Sequence, residues 1–180
     1  ADENISGIAG VFIRGDTVLQ EKDQQPVLDL NALQSPYLTG TLDPAKYRGL
    51  LWELSRGCPF RCGFCFESRG IAGVRKFPLE RIRRELALFE EKKVSQVFVL
   101  DPTFNSDIAR AKTILRMIRE TAPLVHFNFE VRSEFLDSEI ASLFAEINCS
   151  LQIGLQSAHR EVLSKLNRTI DVADFAAKIA

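Results

Sequence analysis

Three of the four cysteines in this 180-residue chain fall within residues 53–67, as Cys58, Cys62 and Cys65, while Cys149 lies far downstream. The C-x3-C-x2-C spacing gathers three thiols on one loop. It is not the pair of C-x2-C units that commonly builds a zinc site, and it leaves a tetrahedral ion one ligand short. A cubane iron–sulfur cluster can use the shortage, since three irons take thiolates and the fourth stays open to a ligand that is not protein. A structural zinc site completed by Cys149 or a histidine is the competing chemistry. Cys149 suits it poorly, because it precedes a strand over residues 150–155 whereas the cysteine loop follows one. In a parallel sheet the two would lie at opposite ends, about 20 Å apart at roughly 3.3 Å per residue. Cys149 reads instead as a small buried hydrophobe. A disulfide framework is weaker still: 46% hydrophobic content over 180 residues can build a core unaided, and no signal-like segment points to secretion.

The elements that must position these thiols alternate from residue 49 onward. Residues 49–54 form a short apolar strand, and the cysteine loop begins directly after it, with Gly70 and Gly73 permitting close backbone approach. Leu79, Ile82, Leu86 and Phe89 recur at helical spacing, with Pro78 suited to a first turn. Residues 94–100 are a continuous apolar run, as in a strand buried on both faces. An exit loop, residues 101–105, leads to a helix capped by Ser106 or Asp107, with Ile108, Ala111, Leu115 and Ile118 as its stripe and Pro123 closing it. In the third strand Phe127, Phe129 and Val131 face one way and Asn128, Glu130 and Arg132 the other. A helix over residues 136–147 follows. The fourth strand sets Leu151, Ile153 and Leu155 outward, and Gln152, Gly154 and Gln156 inward. Val162, Leu163 and Leu166 mark a helix ending near Asn167 and Arg168, and Asp171 caps a last segment with Val172, Phe175 and Ile179.

The fold class is therefore α/β, with four β-α units around a parallel sheet. Residues 1–48 have a different texture: a short hairpin over residues 7–19, then a stretch broken by Pro26, Pro36, Gly40 and Pro44 that reads as a linker or wrapping arm. The expected division is 1–48 for hairpin and linker and 49–180 for the β/α unit. In such folds ligands sit at the carboxyl ends of the strands. The cysteines, Pro102 and Thr103, Glu130 and Arg132, and Gln156 and Ser157 all fall there.

With 23 basic and 24 acidic side chains, no global field recruits nucleic acid or an anionic membrane, and no apolar run is long enough to span one. A cytoplasmic protein is expected. The chain opens with Ala1 and its single methionine is Met117, so an excised or processed piece is expected too.

Cys58, Cys62 and Cys65, with Phe64 just before the last, resemble the cluster loop of the radical S-adenosylmethionine (SAM) superfamily. The string SRGCPFRCGFC resembles the subset carrying a cobalamin-binding domain ahead of the radical domain, and the related methylthiotransferases. The resemblance implies an iron–sulfur enzyme with a partial (β/α) TIM-type barrel, four of six units being present. Its metal ligands are Cys58, Cys62 and Cys65 on a [4Fe–4S] cluster, whose open iron takes SAM for reductive cleavage to a 5'-deoxyadenosyl radical. By position, Pro102 and Thr103 replace a glycine-rich motif facing the SAM amino group. Glu130 and Gln156 match ribose ligands, Arg168 matches the partner of the SAM carboxylate, and Phe64 lies near adenine. Cobalamin, an external electron donor and an unknown substrate complete the expectation, with methyl transfer or a related oxidation as the outcome. A tRNA methylthiotransferase-like enzyme, a zinc-stabilised binding domain and an electron-transfer module are the alternatives. On the bland side, Arg168 could pair with Asp171, and Glu130 with Arg132. An exposed fourth-strand edge would favour a homodimer.

Overall fold

The computed structural model describes residues 27–67 and 73–179; the hairpin expected over residues 7–19, and Gly70, lie outside them. Strand β1 (Leu50–Trp52) is followed by a two-residue antiparallel ladder, β2 (Ser55–Arg56) with β3 (Arg75–Lys76), and the cysteine loop runs between its two strands. Then come α1 (Leu79–Glu91), β4 (Gln96–Val99), α2 (Ile108–Thr121), β5 (His126–Val131), α3 (Ser138–Ala145), β6 (Cys149–Ile153), α4 (Arg160–Lys165) and α5 (Val172–Ile179). The main sheet is parallel throughout, in the order β1-β4-β5-β6. Pro78 stands at the N-cap of α1 rather than in its first turn, and Asp107, not Ser106, caps α2.

The register puts Leu50, Val97 and Phe127 on one face of the sheet, together with Trp52, Val99, Phe129 and Val131. These residues bury themselves against Ile82, Leu86 and Phe89 of α1, Ile114, Leu115 and Ile118 of α2 and Ile140 and Phe144 of α3. Each fully buried side chain of this size contributes about 1.5–3 kcal/mol over leaving it exposed. Among the described residues, the cleft on the other face is lined by the strands and their ends, with no helix residue in it. Leu51, Phe98 and Leu100 are 61%, 40% and 49% exposed there, so the apolar run of residues 94–100 is buried on one face only. Continuous hydrophobicity does not separate a doubly covered strand from one whose second face lines a lumen.

A buried polar group sits inside this core. Glu85 accepts hydrogen bonds from Trp52 Nε1 (2.7 Å) and Arg81 Nε (2.9 Å), and Arg81 also donates to the Leu33 carbonyl and lies 4.0 Å over the Phe77 ring. Tyr37, ahead of β1, joins the same core, donating to the Leu51 carbonyl (2.5 Å) and meeting Phe89 edge-on, and Leu30 is buried as well. Cys149 opens β6 and is half-buried; its thiol donates to the Phe144 carbonyl (3.5 Å), and burial pushes its pKa up. Among the described residues, no helix is long and apolar enough to cross a membrane.

Candidate functional site

A cleft at the carboxyl ends of the strands is lined by Cys58, Cys62, Phe64 and Cys65 of the loop, Pro102 and Thr103 after β4, Glu130 of β5, and Gln156 and Arg168 beyond β6. The nine residues matched to cluster and SAM ligands thus meet in one place, while Ser157, expected at the same strand ends, is not among the lining residues. Phe60, Glu67, Arg132, Gln152 and Gly154 line it as well. The three thiols are free and partly exposed. Among the described residues no three His, Cys, Asp or Glu side chains are arranged to hold a single metal ion. That is the requirement of a mononuclear site; in a cluster each thiolate goes to a different iron.

The base of the loop is fixed by Asp101. Its carboxylate accepts from the backbone N–H of Leu54 (2.8 Å) and of Ser55 (3.1 Å) and from the Ser55 hydroxyl, tying the end of β4 to the point where the chain leaves β1 for the loop. Just above, a Cβ on Gly57 would lie 2.5 Å from the Gly73 carbonyl oxygen, so the backbone closes there too tightly for a side chain at Gly57; Gly73 has open space around it but shares the positive φ that favours glycine. This is the close approach expected of Gly73, with Gly57 as its partner. Arg56, at the start of the loop, donates from Nε and Nη2 to the two carboxylate oxygens of Glu53 (2.7 and 2.9 Å).

Burial raises the Asp101 pKa above the ordinary aspartate value, although the three hydrogen bonds and the charge of Arg110 oppose the shift. With its folded pKa above the unfolded one, the native state holds the extra proton, and this group's contribution to stability falls as pH rises from about 4. Asp101→Asn keeps an acceptor for both N–H groups and is expected to remove that slope from urea midpoints measured across acidic pH. Asp101→Ala strands both N–H groups and is expected to cost about 2–4 kcal/mol. Equal loss in both variants would show that the carboxamide cannot stand in.

The loop's middle is held from the turn after β5. The Arg132 guanidinium lies 3.9 Å over the Phe60 ring, which stacks on Phe135 (5.6 Å), and donates to Glu134. Arg132 therefore turns from Glu130 to Glu134 once past the strand. Asn105, fully buried, fixes this turn by mimicking a peptide: it donates to the Arg132 carbonyl (2.8 Å) and accepts from the Arg132 N–H (2.9 Å). Burial pushes the Glu134 carboxyl up, but hydrogen bonding and the charges of Arg132 and Arg168 more than offset it, leaving its pKa below the usual glutamate value.

Arg168 is buried. One terminal nitrogen donates to the Gly154 carbonyl (3.1 Å) and lies 3.9 Å from Glu134, while Nε has no partner. Asp171 instead caps α5 by accepting from the N–H groups of Ala173 and Asp174. Gln156 adopts a left-handed φ of 67°, and its amide nitrogen lies only 2.5 Å from where a Cβ on Gly154 would stand. A non-glycine residue held in that conformation at a cleft marks a side chain whose direction is constrained.

Residues 52–180 match the radical SAM superfamily. The 2-(S-pantetheinyl)-carbapenam-3-carboxylate methyltransferase of Streptantibioticus cattleyicolor is 33% identical over 150 residues, which is 74% of this chain and 22% of that protein. TokK, a cobalamin-dependent radical SAM methyltransferase of Streptomyces tokunonensis, is 31% identical over 150 residues, with the same coverage of 74% and 22%. Among solved structures, the radical S-adenosylmethionine methyltransferase TsrM of Kitasatospora setae, with tryptophan and a SAM analog bound, superposes with a TM-score of 0.65 at 22% identity, covering 73% of this chain and 28% of that one. The chain spans less than a third of each of these relatives. The partial barrel, the three-thiol loop at its mouth and the match over residues 52–180 agree, and the chain belongs to the radical SAM superfamily.

Proposed function

We propose that the protein containing this chain binds a [4Fe–4S] cluster and SAM in this cleft and carries out methyl transfer, with cobalamin held elsewhere in the full protein and an external donor supplying the electron. The observation that carries the reading is Arg168: a buried guanidinium whose Nε faces no partner, on the wall of the cleft that holds the three thiols. A buried donor left unpaired is costly, and a ligand carboxylate is the group that relieves it. The other residues fit the same ligands. Cys58, Cys62 and Cys65 would take three irons. Glu130 and Gln156 offer an acceptor and an amide to ribose hydroxyls, Phe64 a half-exposed aromatic face to adenine, and Pro102 and Thr103 backbone polar groups to the amino end. When bound, the cluster and SAM supply one-electron cleavage to a carbon radical; the chain's own work is to orient them and keep charge paired.

The relatives' names favour methyl transfer over the methylthiotransferase alternative. A cytoplasmic setting is part of the proposal, since all four cysteines are free and such a site needs reduced thiols. The test is anaerobic reconstitution of the full protein, with iron analysis and assay of deoxyadenosine formation. About four irons per chain and SAM-dependent product are expected; a single zinc per chain, colourless and inert toward SAM, would overturn the reading. Arg168→Ala should weaken SAM binding about 10- to 100-fold, as befits loss of a charged hydrogen-bond partner. Unchanged calorimetric affinity would remove Arg168 from the site.

A further inference from the structure

The cysteine loop is also docked on the C-terminal cap of α4, one residue before Arg168. The helix ends in a Schellman arrangement: Asn167 takes a φ of 53°, its N–H donates to the Ser164 carbonyl (3.1 Å), and the Arg168 N–H donates to the Leu163 carbonyl (2.9 Å). Two further bonds leave this cap for the loop. The Gly63 N–H donates to the Leu166 carbonyl (2.9 Å), and the Asn167 side-chain amide donates to the Arg61 carbonyl (2.6 Å). Both contacts bracket Cys62. Gly63 also sits where a Cβ would come within 3.2 Å of the Lys165 carbonyl, so loop and cap are in close contact.

Glycine is the better residue for a left-handed cap, having no Cβ to strain. Asparagine at this position therefore has another use, and the bond to Arg61 supplies it. We infer that Asn167 is a positioning residue that sets the thiol loop in register with Arg168, so that cluster retention by the loop and anion binding by Arg168 are linked through one helix cap. The inference rests on the function proposed above.

The test uses Asn167→Gly in the full protein. Glycine preserves or improves the cap while deleting the amide that reaches Arg61, so a merely structural role predicts an unchanged or higher unfolding midpoint and nothing else. A positioning role predicts, at that same midpoint, faster amide exchange at Gly63, faster iron release to a chelator without SAM, and weaker SAM binding. Each effect should be about two- to tenfold, the range of one hydrogen bond. Asn167→Asp, which tolerates the same backbone but cannot donate, should behave alike. Wild-type exchange, release and affinity in both variants would overturn the inference, as would a lowered midpoint with general loosening. If the wild-type protein held neither iron nor SAM, the proposed function would fall, while Gly63 exchange in metal-free protein would still decide the role of Asn167.

Discussion

Cys62→Ala in the full protein is expected to abolish reductive SAM cleavage, with deoxyadenosine formation falling by more than about 100-fold, beyond the 10- to 100-fold typical of losing a group that only supports a metal ligand. The reason lies in the division of labour among the thiols. Cys58, Cys62 and Cys65 share one cleft, and each would hold a separate iron, so none can cover for another. Cys62 is also the thiol bracketed by the two cap contacts at Arg61 and Gly63. Cys149→Ala is the matched control: its thiol bonds to the Phe144 carbonyl at the start of β6, the far end of the sheet from the cleft. Iron content and product should fall together in the first variant and hold in the second. Retained cleavage after loss of Cys62, or equal loss in both, would defeat the assignment.

Glu85→Ala is expected to produce the largest loss of stability, about 3–5 kcal/mol. The Glu85 carboxylate is 1% exposed and is the acceptor for both Trp52 Nε1 and Arg81 Nε. Removing it leaves an indole N–H without a partner in the core and a guanidinium short of its counter-charge, and it opens a cavity where the buried side chain stood. For a chain of this size that corresponds to roughly 8–15 °C in the melting midpoint. Glu85→Gln keeps an acceptor for the indole and should cost clearly less. Thermal and urea unfolding decide it; an alanine variant within about 1 kcal/mol of wild type would mean that water or a rearranged Arg81 replaces the carboxylate.

The alternation of strand and helix was legible because it rests on local periodicity: the stripe Leu79, Ile82, Leu86, Phe89 and the alternation of Phe127, Phe129 and Val131 are each set by neighbours a few residues apart. The cleft was legible because parallel β/α topology sends every strand exit to one face. What stayed hidden depends on long-range polar contacts. Asp101 reaches a backbone N–H at Leu54, 47 residues upstream, and Asn105 reads the backbone of Arg132, 27 residues on; neither shows any spacing signal. The pairing of β2 with β3 is two residues long, below what an alternation pattern can mark. Arg132 was placed with Glu130 by strict alternation, but the strand ends at Val131, and beyond it alternation no longer governs direction.

The close approach of Gly57 to Gly73 makes the root of the loop intolerant of bulk. A side chain at Gly57 would meet the Gly73 carbonyl oxygen at 2.5 Å, so Gly57→Ala has to force the two ends of the thiol segment apart. Even one methyl group there acts as a wedge, and the loop, tied also to the cap of α4 through Gly63 and Asn167, passes the displacement on to Cys62 between those two ties.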